Sequence, residues 1–333
     1  MNKMKYKVVL MMIALLAISL TSAYAGNSRR IGTAGAQELL IPVGSRSTAM
    51  GGAVLSTVSG VEAMYWNPAG LASLDGTEAM FTHLPYIADI DVNFAGVGTN
   101  IEGFGAIGFG AKVVTIGDIE ETTEQFPDGT GREFNPTLSV LNVTYARILT
   151  ANVSFGVTGM YINEDIFEVT ASGFAFDVGF VYDPRWRGLT VGLSIKNYGP
   201  EMEFTGRGFD QSLDGDRPAR PVASTFDLPS SINLGMAYDF LDDGLNLASV
   251  SGNFRSNNYY ADQWQGAAEY VYNGRYSLRA GYTYSEEEEY LYGASFGAGV
   301  MFDISGTLLS LEYSWTETDV FDDNQFFTLK FNF

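Results

Sequence analysis

Hydrophobic and polar residues alternate along most of the chain, and the stretch 324–333 shows the pattern most clearly. Every second residue there is apolar, namely Phe327, Leu329, Phe331 and Phe333. The positions between them are polar except for Phe326. Alternation with a period of two is typical of a strand with one apolar and one polar face. We therefore predict a β-strand at 324–333.

About fourteen segments have this character and the length of roughly 9 to 11 residues that a tilted membrane strand needs. The predicted strands are 77–84, 89–101, 103–115, 136–148, 151–163, 172–183, 189–198, 230–240, 245–255, 262–272, 275–285, 291–303, 307–316 and 325–333. Short connections such as Asn273-Gly274 alternate with longer ones, notably 116–135 and 199–229. Outer-membrane barrels alternate tight periplasmic turns with longer outward loops in this way. The predicted fold class is therefore all-β, an antiparallel transmembrane β-barrel of about 14 strands.

Charged residues fall on the polar face of the predicted strands. A charge facing lipid near the membrane midplane would cost about 2–4 kcal/mol, so this face is predicted to line the lumen. The charges assigned to it are Lys112, Asp177, Lys196, Asp239, Glu269, Arg275, Arg279, Asp303, Glu312 and Lys330. Outward aromatic residues near strand ends are assigned to the interface girdles. These residues are Tyr182, Tyr272, Tyr284, Tyr313 and Trp315.

Composition narrows the classes of function. Residues 1–25 combine early lysines, an apolar run of about 13 residues and small residues at the end, which is the form of a secretory signal peptide. The formal net charge of -20 argues against a nucleic-acid partner. Cysteine is absent and histidine occurs once, which excludes disulfides, thiolate metal sites and a multi-histidine zinc site within one chain. We expect no cofactor, and we expect the outer membrane and its lipid as surroundings.

Residues 26–75 do not alternate, and they form a predicted N-terminal plug or hatch segment ahead of a barrel domain at 76–333. Glycine and alanine are frequent in this segment and permit close backbone approach. The motif Asn67-Pro68-Ala69-Gly70 has the composition of a turn. One interpretation is a compact plug or a lid on the periplasmic side, and the alternative is a pair of short helices on the barrel rim.

Three short patterns have the residue types of chemical sites. Residues 103–108 match the dinucleotide fingerprint, but they lie inside a strand pattern without a following helix, so small inward residues beside a plug explain them better. His83, with Asp89 and Asp91 after it, resembles a general base, yet no serine or second histidine is clearly placed with it. The acidic run 286–289 suits calcium or lipopolysaccharide-bound divalent ions, or simply a solvated loop.

The long predicted loop 199–229 is locally basic on an acidic protein. Aromatic and arginine side chains are the usual anchors of protein recognition. The residues assigned to partner contact are Phe204, Arg207, Phe209, Arg217 and Arg220. The alternative is an ordinary long loop.

Three motifs near the N-terminus resemble a known family. They read IPVGSR at 41–46, AMGGA at 49–53 and YWNPAGLA at 65–72. These motifs are similar to the opening of the PorV/PorQ family of outer-membrane barrels. That family is distantly similar to the FadL-type long-chain fatty-acid transporters, which also carry an asparagine-proline-alanine-glycine motif and fourteen strands.

The resemblance implies a role in type IX secretion, in which the barrel receives cargo by its C-terminal signal domain and hands it to an attachment machinery. It implies no catalytic residue, and we do not expect an enzyme. Three hypotheses follow from the residues and the resemblance. They are docking of secreted proteins through outward loops, FadL-like transport of hydrophobic small molecules with 26–75 as a movable hatch, and an outer-membrane hydrolase based on His83 alone. We favour docking.

Overall fold

The computed structural model describes residues 30–86, 90–209, 223–285, 291–319 and 321–333. Within these residues, fourteen strands form one closed antiparallel sheet, which confirms the predicted barrel. The predicted signal peptide, Asp89, Arg217, Arg220 and the acidic run 286–289 lie outside the described residues. In the described part of the chain, no helix is long and apolar enough to cross a membrane.

Seventeen strands are numbered in chain order. Three of them are short and belong to connections rather than to the barrel wall. Their bounds are β1 Thr77–Pro85, β2 Asp91–Ile101, β3 Gly105–Thr115, β4 Ile119–Glu120, β5 Glu133–Phe134, β6 Thr137–Thr150, β7 Val153–Ile166, β8 Val169–Tyr182, β9 Leu189–Tyr198, β10 Phe204–Gly206, β11 Ser231–Asp242, β12 Asn246–Asn257, β13 Gln263–Tyr272, β14 Tyr276–Ser285, β15 Tyr292–Ile304, β16 Thr307–Thr318 and β17 Asn324–Asn332. The short ones are β4, β5 and β10.

The barrel closes where its first strand meets its last. β1 pairs antiparallel with β17 in a register that runs from Glu78 opposite Asn332 to His83 opposite Phe327. The other strands of the barrel wall pair with their neighbours in chain order, also antiparallel. Each of these strands therefore has a partner on both sides. A backbone in hydrocarbon requires this, because no water is present there to form hydrogen bonds with its N–H and C=O groups.

Short turns connect the strands at the end of the barrel where the chain terminates, which we call the short-turn end. Asn273 and Gly274 there have φ values of 54° and 63°, as the two central residues of a type I′ hairpin require. The opposite, long-loop end has one exception to the predicted alternation. Only Phe167 and Glu168 connect β7 to β8, because both strands extend past their predicted bounds of 151–163 and 172–183.

The outward face is apolar and the lumen face is polar, as the alternation predicts. On β14, Leu278 is exposed, whereas its neighbours Ser277 and Arg279 are buried in the lumen. Four of the predicted girdle residues are large exposed side chains, namely Tyr182, Tyr272, Tyr284 and Tyr313. The prediction of a place in the lumen is wrong for two of the charged residues. Arg275 and Asp303 are exposed, because Arg275 lies in the β13–β14 turn and Asp303 lies near the end of β15.

Residues 36–74, here called the lumen segment, lie inside the barrel. The segment contains the helices α1 (Ser45–Ala49) and α2 (Ala63–Trp66) and the 3-10 helices Gln37–Leu40 and Pro68–Ser73. α1 contacts β14 to β17, whereas Pro68–Ser73 contacts β3, β6, β7 and β8 on the opposite wall. The segment therefore crosses the lumen, which argues for the interpretation as an internal segment over helices on the rim.

Candidate functional site

Where the lumen segment touches the barrel wall, glycines in the wall leave the space that the segment occupies. A Cβ atom at Gly156 would overlap the backbone of Pro68, and one at Gly179 would overlap the side chain of Asn67. Gly108, within the stretch that matches the dinucleotide fingerprint, faces Met64 in the same way. Small inward residues beside an internal segment thus account for that stretch, and the wall is shaped for a resident segment.

The predicted motif Asn67-Pro68-Ala69-Gly70 fixes this contact. Asn67 is fully buried, and its Nδ2 donates to the carbonyl of Leu55 at 2.7 Å and to that of Phe180 in β8 at 3.2 Å. Its Oδ1 accepts from the backbone N–H of Ala69 at 3.2 Å, which caps the following 3-10 helix. The motif therefore ties the lumen segment to itself and to the wall, which is a structural role.

A chain of alternating charges ties the other side of the lumen segment to β13, β14, β16 and β17. Arg46 of α1 contacts Glu269 through two hydrogen bonds of 2.7 and 3.0 Å. Glu269 also accepts from Arg279 at 2.7 Å, and Arg279 lies 3.5 Å from Glu312. Lys330 connects Glu312 to Glu62 of the lumen segment, because its Nζ lies 3.1 Å from Oε2 of Glu312 and 2.5 Å from Oε2 of Glu62. Three acids and three bases balance, so the buried network carries no net charge.

The sequence predicted the wall half of this network but missed its partners in the lumen segment. Arg46 and Glu62 are the charged residues of 41–74, among small and apolar neighbours. That isolation is the signal that could have revealed them, since buried charges need partners. Burial opposes ionisation of Glu62 and by itself would raise its pKa. The charge of Lys330 and the backbone N–H of Ser47, which donates to Oε1 of Glu62, outweigh burial and hold the pKa of Glu62 below its ordinary value.

Three further predicted lumen charges surround Tyr65 of α2. The Nζ of Lys196 lies 3.8 Å from the centre of the Tyr65 ring, and that of Lys112 lies 4.8 Å from it. Lys112 also donates to the carbonyl of Ile41 at 3.0 Å. Asp177 accepts from the backbone N–H of Asn197 at 2.6 Å, beside a β-bulge in the β8–β9 pairing. Asp239, the last of the predicted set, is half-buried near the short-turn end, where its backbone N–H donates to Gly188.

A cavity of about 690 Å³ opens at the long-loop end, and we call it the mouth cavity. Residues 31–41 form one side of it, and loop and strand residues from both walls form the rest. Most of the lining side chains are apolar or aromatic, such as Leu40, Ile41, Val114, Leu138 and Tyr259. The lining also includes Gln37, Glu38, Arg255 and Gln263. Deeper in the lumen, the cavities beside Trp66 and Lys112 measure about 80 and 20 Å³. The space available to a partner among the described lumen residues is therefore concentrated at the mouth.

Residues 30–35 attach the start of the described chain to the mouth. Arg30 forms an ion pair with Asp227, and the backbone N–H of Gly35 donates to the carbonyl of Asp227 at 3.1 Å. Next to this attachment, Glu38 lines the mouth cavity while almost fully buried. Burial and the neighbouring Glu164 raise the pKa of Glu38 to about 8. Glu38 is thus predominantly neutral at pH 7, and the mouth is less acidic than its sequence indicates.

A shallow depression of about 860 Å³ lies on the outer wall between β13 and β1. Its lining is mostly outward-facing side chains such as Leu278, Leu311 and Leu329. Acyl chains would fill this surface in a membrane, so it needs no dedicated ligand.

The residues predicted for partner contact are not equivalent. Phe204 belongs to β10, which pairs with β8, and its ring lies 5.4 Å from that of Phe226 over an internal cluster. It therefore has a place in the fold, which the loop prediction did not foresee. Arg207 is exposed and Phe209 half-buried in a single 3-10 turn, and both remain candidates.

His83 lies on β1, within the predicted strand 77–84. Its Nδ1 is 2.9 Å from Oδ1 of Asn93 in β2, and its exposed part faces outward among lipid-facing residues. Nothing in this contact provides a nucleophile for it to activate.

Comparison with known proteins agrees with the fold. A family model described as type IX secretion system protein PorV matches residues 24–257. The chain belongs to the PorV family. No curated protein matches the sequence. The PorV family and this barrel fold are those of an outer-membrane protein rather than an enzyme.

Solved structures with the same fold are FadL-like barrels. A FadL homologue from Pseudomonas aeruginosa has 15% identity and a TM-score of 0.54, over 88% of this chain and 98% of the other. The monoaromatic hydrocarbon channel CymD has 15% identity and a TM-score of 0.53, over 88% and 98%. The Pseudomonas putida toluene transporter TodX has 14% identity and a TM-score of 0.53, over 87% and 97%. At these identities the likeness concerns the fold.

Proposed function

We propose that this protein is an outer-membrane docking protein of a type IX secretion system, which binds secreted proteins at its long-loop end. The observation that carries the proposal is the mouth cavity, which is apolar, open at that end and large enough for several side chains. Membership of the PorV family supports it, because PorV is a protein of the type IX secretion system.

The filled lumen favours docking over passage. The lumen segment contacts opposite walls. The charge network through Arg46 and Glu62 connects it to the strands β13, β14, β16 and β17. A partner that binds at the mouth leaves these contacts in place. A solute that crosses the barrel along its axis must break them. These contacts therefore support docking at the mouth over passage along the barrel axis.

The test is a mild-detergent isolation of the tagged protein from its native outer membrane, analysed by protein and lipid mass spectrometry together. We expect recovery of secreted proteins that share a C-terminal β domain, with or without a large translocon. An isolated barrel that carries only lipid would overturn the docking proposal. An untagged membrane, processed in parallel, identifies proteins that adhere to the resin.

Arg207 and Phe209 allow a finer test of the long loop. Deletion of 204–220 would remove β10 from its pairing with β8, so loss of binding would have two explanations. The double variant Arg207→Ala and Phe209→Ala leaves β10 in place. We expect it to reduce recovery of secreted protein, whereas Arg185→Ala at the short-turn end, exposed in the β8–β9 turn, should not. Equal recovery from both would exclude these two residues from the contact.

The second candidate is transport of hydrophobic small molecules, favoured by the apolar lining of the mouth cavity. The bulge between β8 and β9 near Asn197 is the wall irregularity at which a side exit could form. This candidate requires a hydrophobic ligand to remain with the purified barrel. Lipid mass spectrometry of the same preparation decides it.

A further inference from the structure

Three arginines lie together at the short-turn end of the barrel, and we call them the arginine cluster. Arg147 is exposed near the end of β6, and Arg185 and Arg187 are exposed in the turn between β8 and β9. Nη2 of Arg185 donates to the carbonyl of Ala151 in the β6–β7 turn at 3.0 Å, which brings the two turns together. Within the part of the chain that the structure describes, none of the three forms an ion pair.

The positive charge of the arginine cluster is local. Asp183 begins the same turn, and its Oδ1 accepts from the backbone N–H of Arg185 at 2.7 Å, so three arginines less one acid leave a net charge of +2. The other turns at this end contain exposed acids, namely Glu102, Asp242, Asp243 and Asp303. The whole chain has a formal net charge of -20. A basic sector on so acidic a protein indicates an anionic partner on this side of the barrel.

The wall beside the arginine cluster is aromatic. Arg147 lies opposite Phe155 of β7 in the strand register, and the Phe155 ring lies 5.1 Å from that of Phe180 in β8. Trp186 is exposed in the β8–β9 turn, and Cζ of Arg187 lies 5.7 Å from the centre of its ring. Aromatic rings near strand ends mark the interface between hydrocarbon and lipid headgroups. The arginines therefore lie at the level of the headgroup phosphates.

Arg147 favours a lipid over a dissolved ligand. It is on the outward face of β6, because the preceding Ala146 is fully buried and packs against the lumen segment. A charge on this face is tolerated only near the interface, where the long side chain of arginine can reach the headgroups. A solute or protein outside the membrane would meet Arg185 and Arg187 in the turn, whereas Arg147 and Phe155 face the bilayer. A ligand that contacts the whole cluster must therefore have a phosphate and acyl chains.

We propose that the arginine cluster binds the headgroup of an anionic phospholipid, with the acyl chains on Phe155 and Phe180. Guanidinium groups bind phosphate in a two-point geometry. The net charge of the cluster favours a phospholipid with net negative charge, such as phosphatidylglycerol, over a zwitterionic one, in which an amine offsets the phosphate. The site lies at the end of the barrel opposite the mouth cavity, so it is independent of the proposed docking function.

Trp186 provides the readout, because bromine atoms on acyl chains quench tryptophan fluorescence on contact. The full-length barrel is reconstituted in phosphatidylcholine vesicles with a minor fraction of phosphatidylglycerol, and the bromine is placed on one lipid or the other. Subtraction of the Trp186→Phe signal isolates Trp186 from the other tryptophans. Each cation at an anionic lipid surface contributes about fivefold. A net charge of +2 therefore predicts that phosphatidylglycerol quenches Trp186 roughly five- to twenty-five-fold more per lipid than phosphatidylcholine.

Variants of the barrel locate the contact. Arg147→Gln and Arg187→Gln should each lower the preference by roughly fivefold, and the double variant should have none. Arg185 is left unchanged because its hydrogen bond to Ala151 connects the two turns. Arg275→Gln is the matched control, since Arg275 is exposed in the β13–β14 turn at the same end, and it should behave as the wild type. Heat-dependent mobility in gel electrophoresis verifies that each variant is a folded barrel.

Three outcomes would overturn the proposal. Equal quenching of wild-type Trp186 by the two lipids would show that the headgroup charge is not recognised. A preference that persists in the double variant, or that Arg275→Gln lowers equally, would assign it to the general charge of the surface. Displacement of phosphatidylglycerol by an equal concentration of inorganic phosphate, at constant ionic strength, would assign the cluster to a free phosphate ion.

Discussion

Substitution of Lys330 by methionine tests whether the charge network holds the lumen segment in place. Lys330 contacts Glu62 of the lumen segment and Glu312 of β16, and both carboxylates are almost fully buried. Removal of one partner from a buried ion pair costs about 3–5 kcal/mol, because the remaining charge is left without compensation. That cost applies to the seated state of the segment, since Glu62 becomes hydrated once the segment leaves the wall.

A single cysteine can report the change, because the natural chain has none. Ser47 is fully buried in α1 and its hydroxyl has no hydrogen-bond partner among the described residues, so Ser47→Cys is a mild substitution. If labelling requires unseating, a loss of about 3 kcal/mol raises its rate roughly one-hundred-fold. We expect that increase for Lys330→Met by maleimide modification in native membranes.

The control and the refuting result are both specific to charge. Lys330→Arg retains a cation at the same position and should label close to the rate of the parent. Combining Glu62→Gln with Lys330→Met should label more slowly than Lys330→Met alone, since the uncompensated carboxylate of Glu62 is then gone. A rate for Lys330→Met within about twofold of the parent, less than about 0.5 kcal/mol, would refute the view that this network seats the segment.

Three other outcomes follow from the structure. Gly179→Ala should destabilise the folded barrel by about 1–3 kcal/mol because its Cβ would overlap Asn67, whereas Gly266→Ala, with open space around it, should have little effect; heat-dependent gel mobility measures both. Because the folded pKa of Glu38 lies near 8, above its ordinary 4.5, the stability from its neutral form is complete below about pH 4.5 and is lost as pH rises through 8. Glu38→Gln should therefore raise the thermal midpoint at pH 9 but not at pH 4, and an equal shift at both would contradict the linkage. His83→Ala should leave recovery of secreted protein unchanged in the isolation experiment, and a loss would show that its outward face takes part.

The barrel could be predicted because its pattern is local. Phe327 and Leu329 on one face of β17, and Lys330 on the other, already specify which side meets lipid. A strand repeats this choice every second residue, so errors of a few residues at strand ends do not change the faces. The extension of β7 and β8 toward Phe167 shows where the pattern was insufficient, since the length of a strand depends on its partner.

The candidate site could be predicted only in part because its contacts are long-range. Arg46 and Glu269 are separated by 223 positions in the chain, and no local pattern links them. The alternation assigns Glu269, Arg279 and Lys330 to the lumen face because a charge facing lipid is costly, but it also assigned Arg275 and Asp303, which are exposed at strand ends. Arg255 was not singled out because an arginine near a strand end is ordinary in sequence, and its place in the lining of the mouth cavity is visible only in three dimensions.

The energetics of the lumen segment separate the two candidate functions. Two connections, Arg46 with Glu269 and Lys330 with Glu62, join the segment to the wall through charge. An open state must separate both pairs at once, and its free energy above the closed state sets how rarely it forms spontaneously. A ligand can populate that state only through a difference in affinity of the same size. A small apolar solute, which makes no ionic contact with Arg46 or Glu62, has no evident source for it. A partner at the mouth binds the closed state directly, so docking requires no such compensation, and a transport role would require a second protein that supplies it.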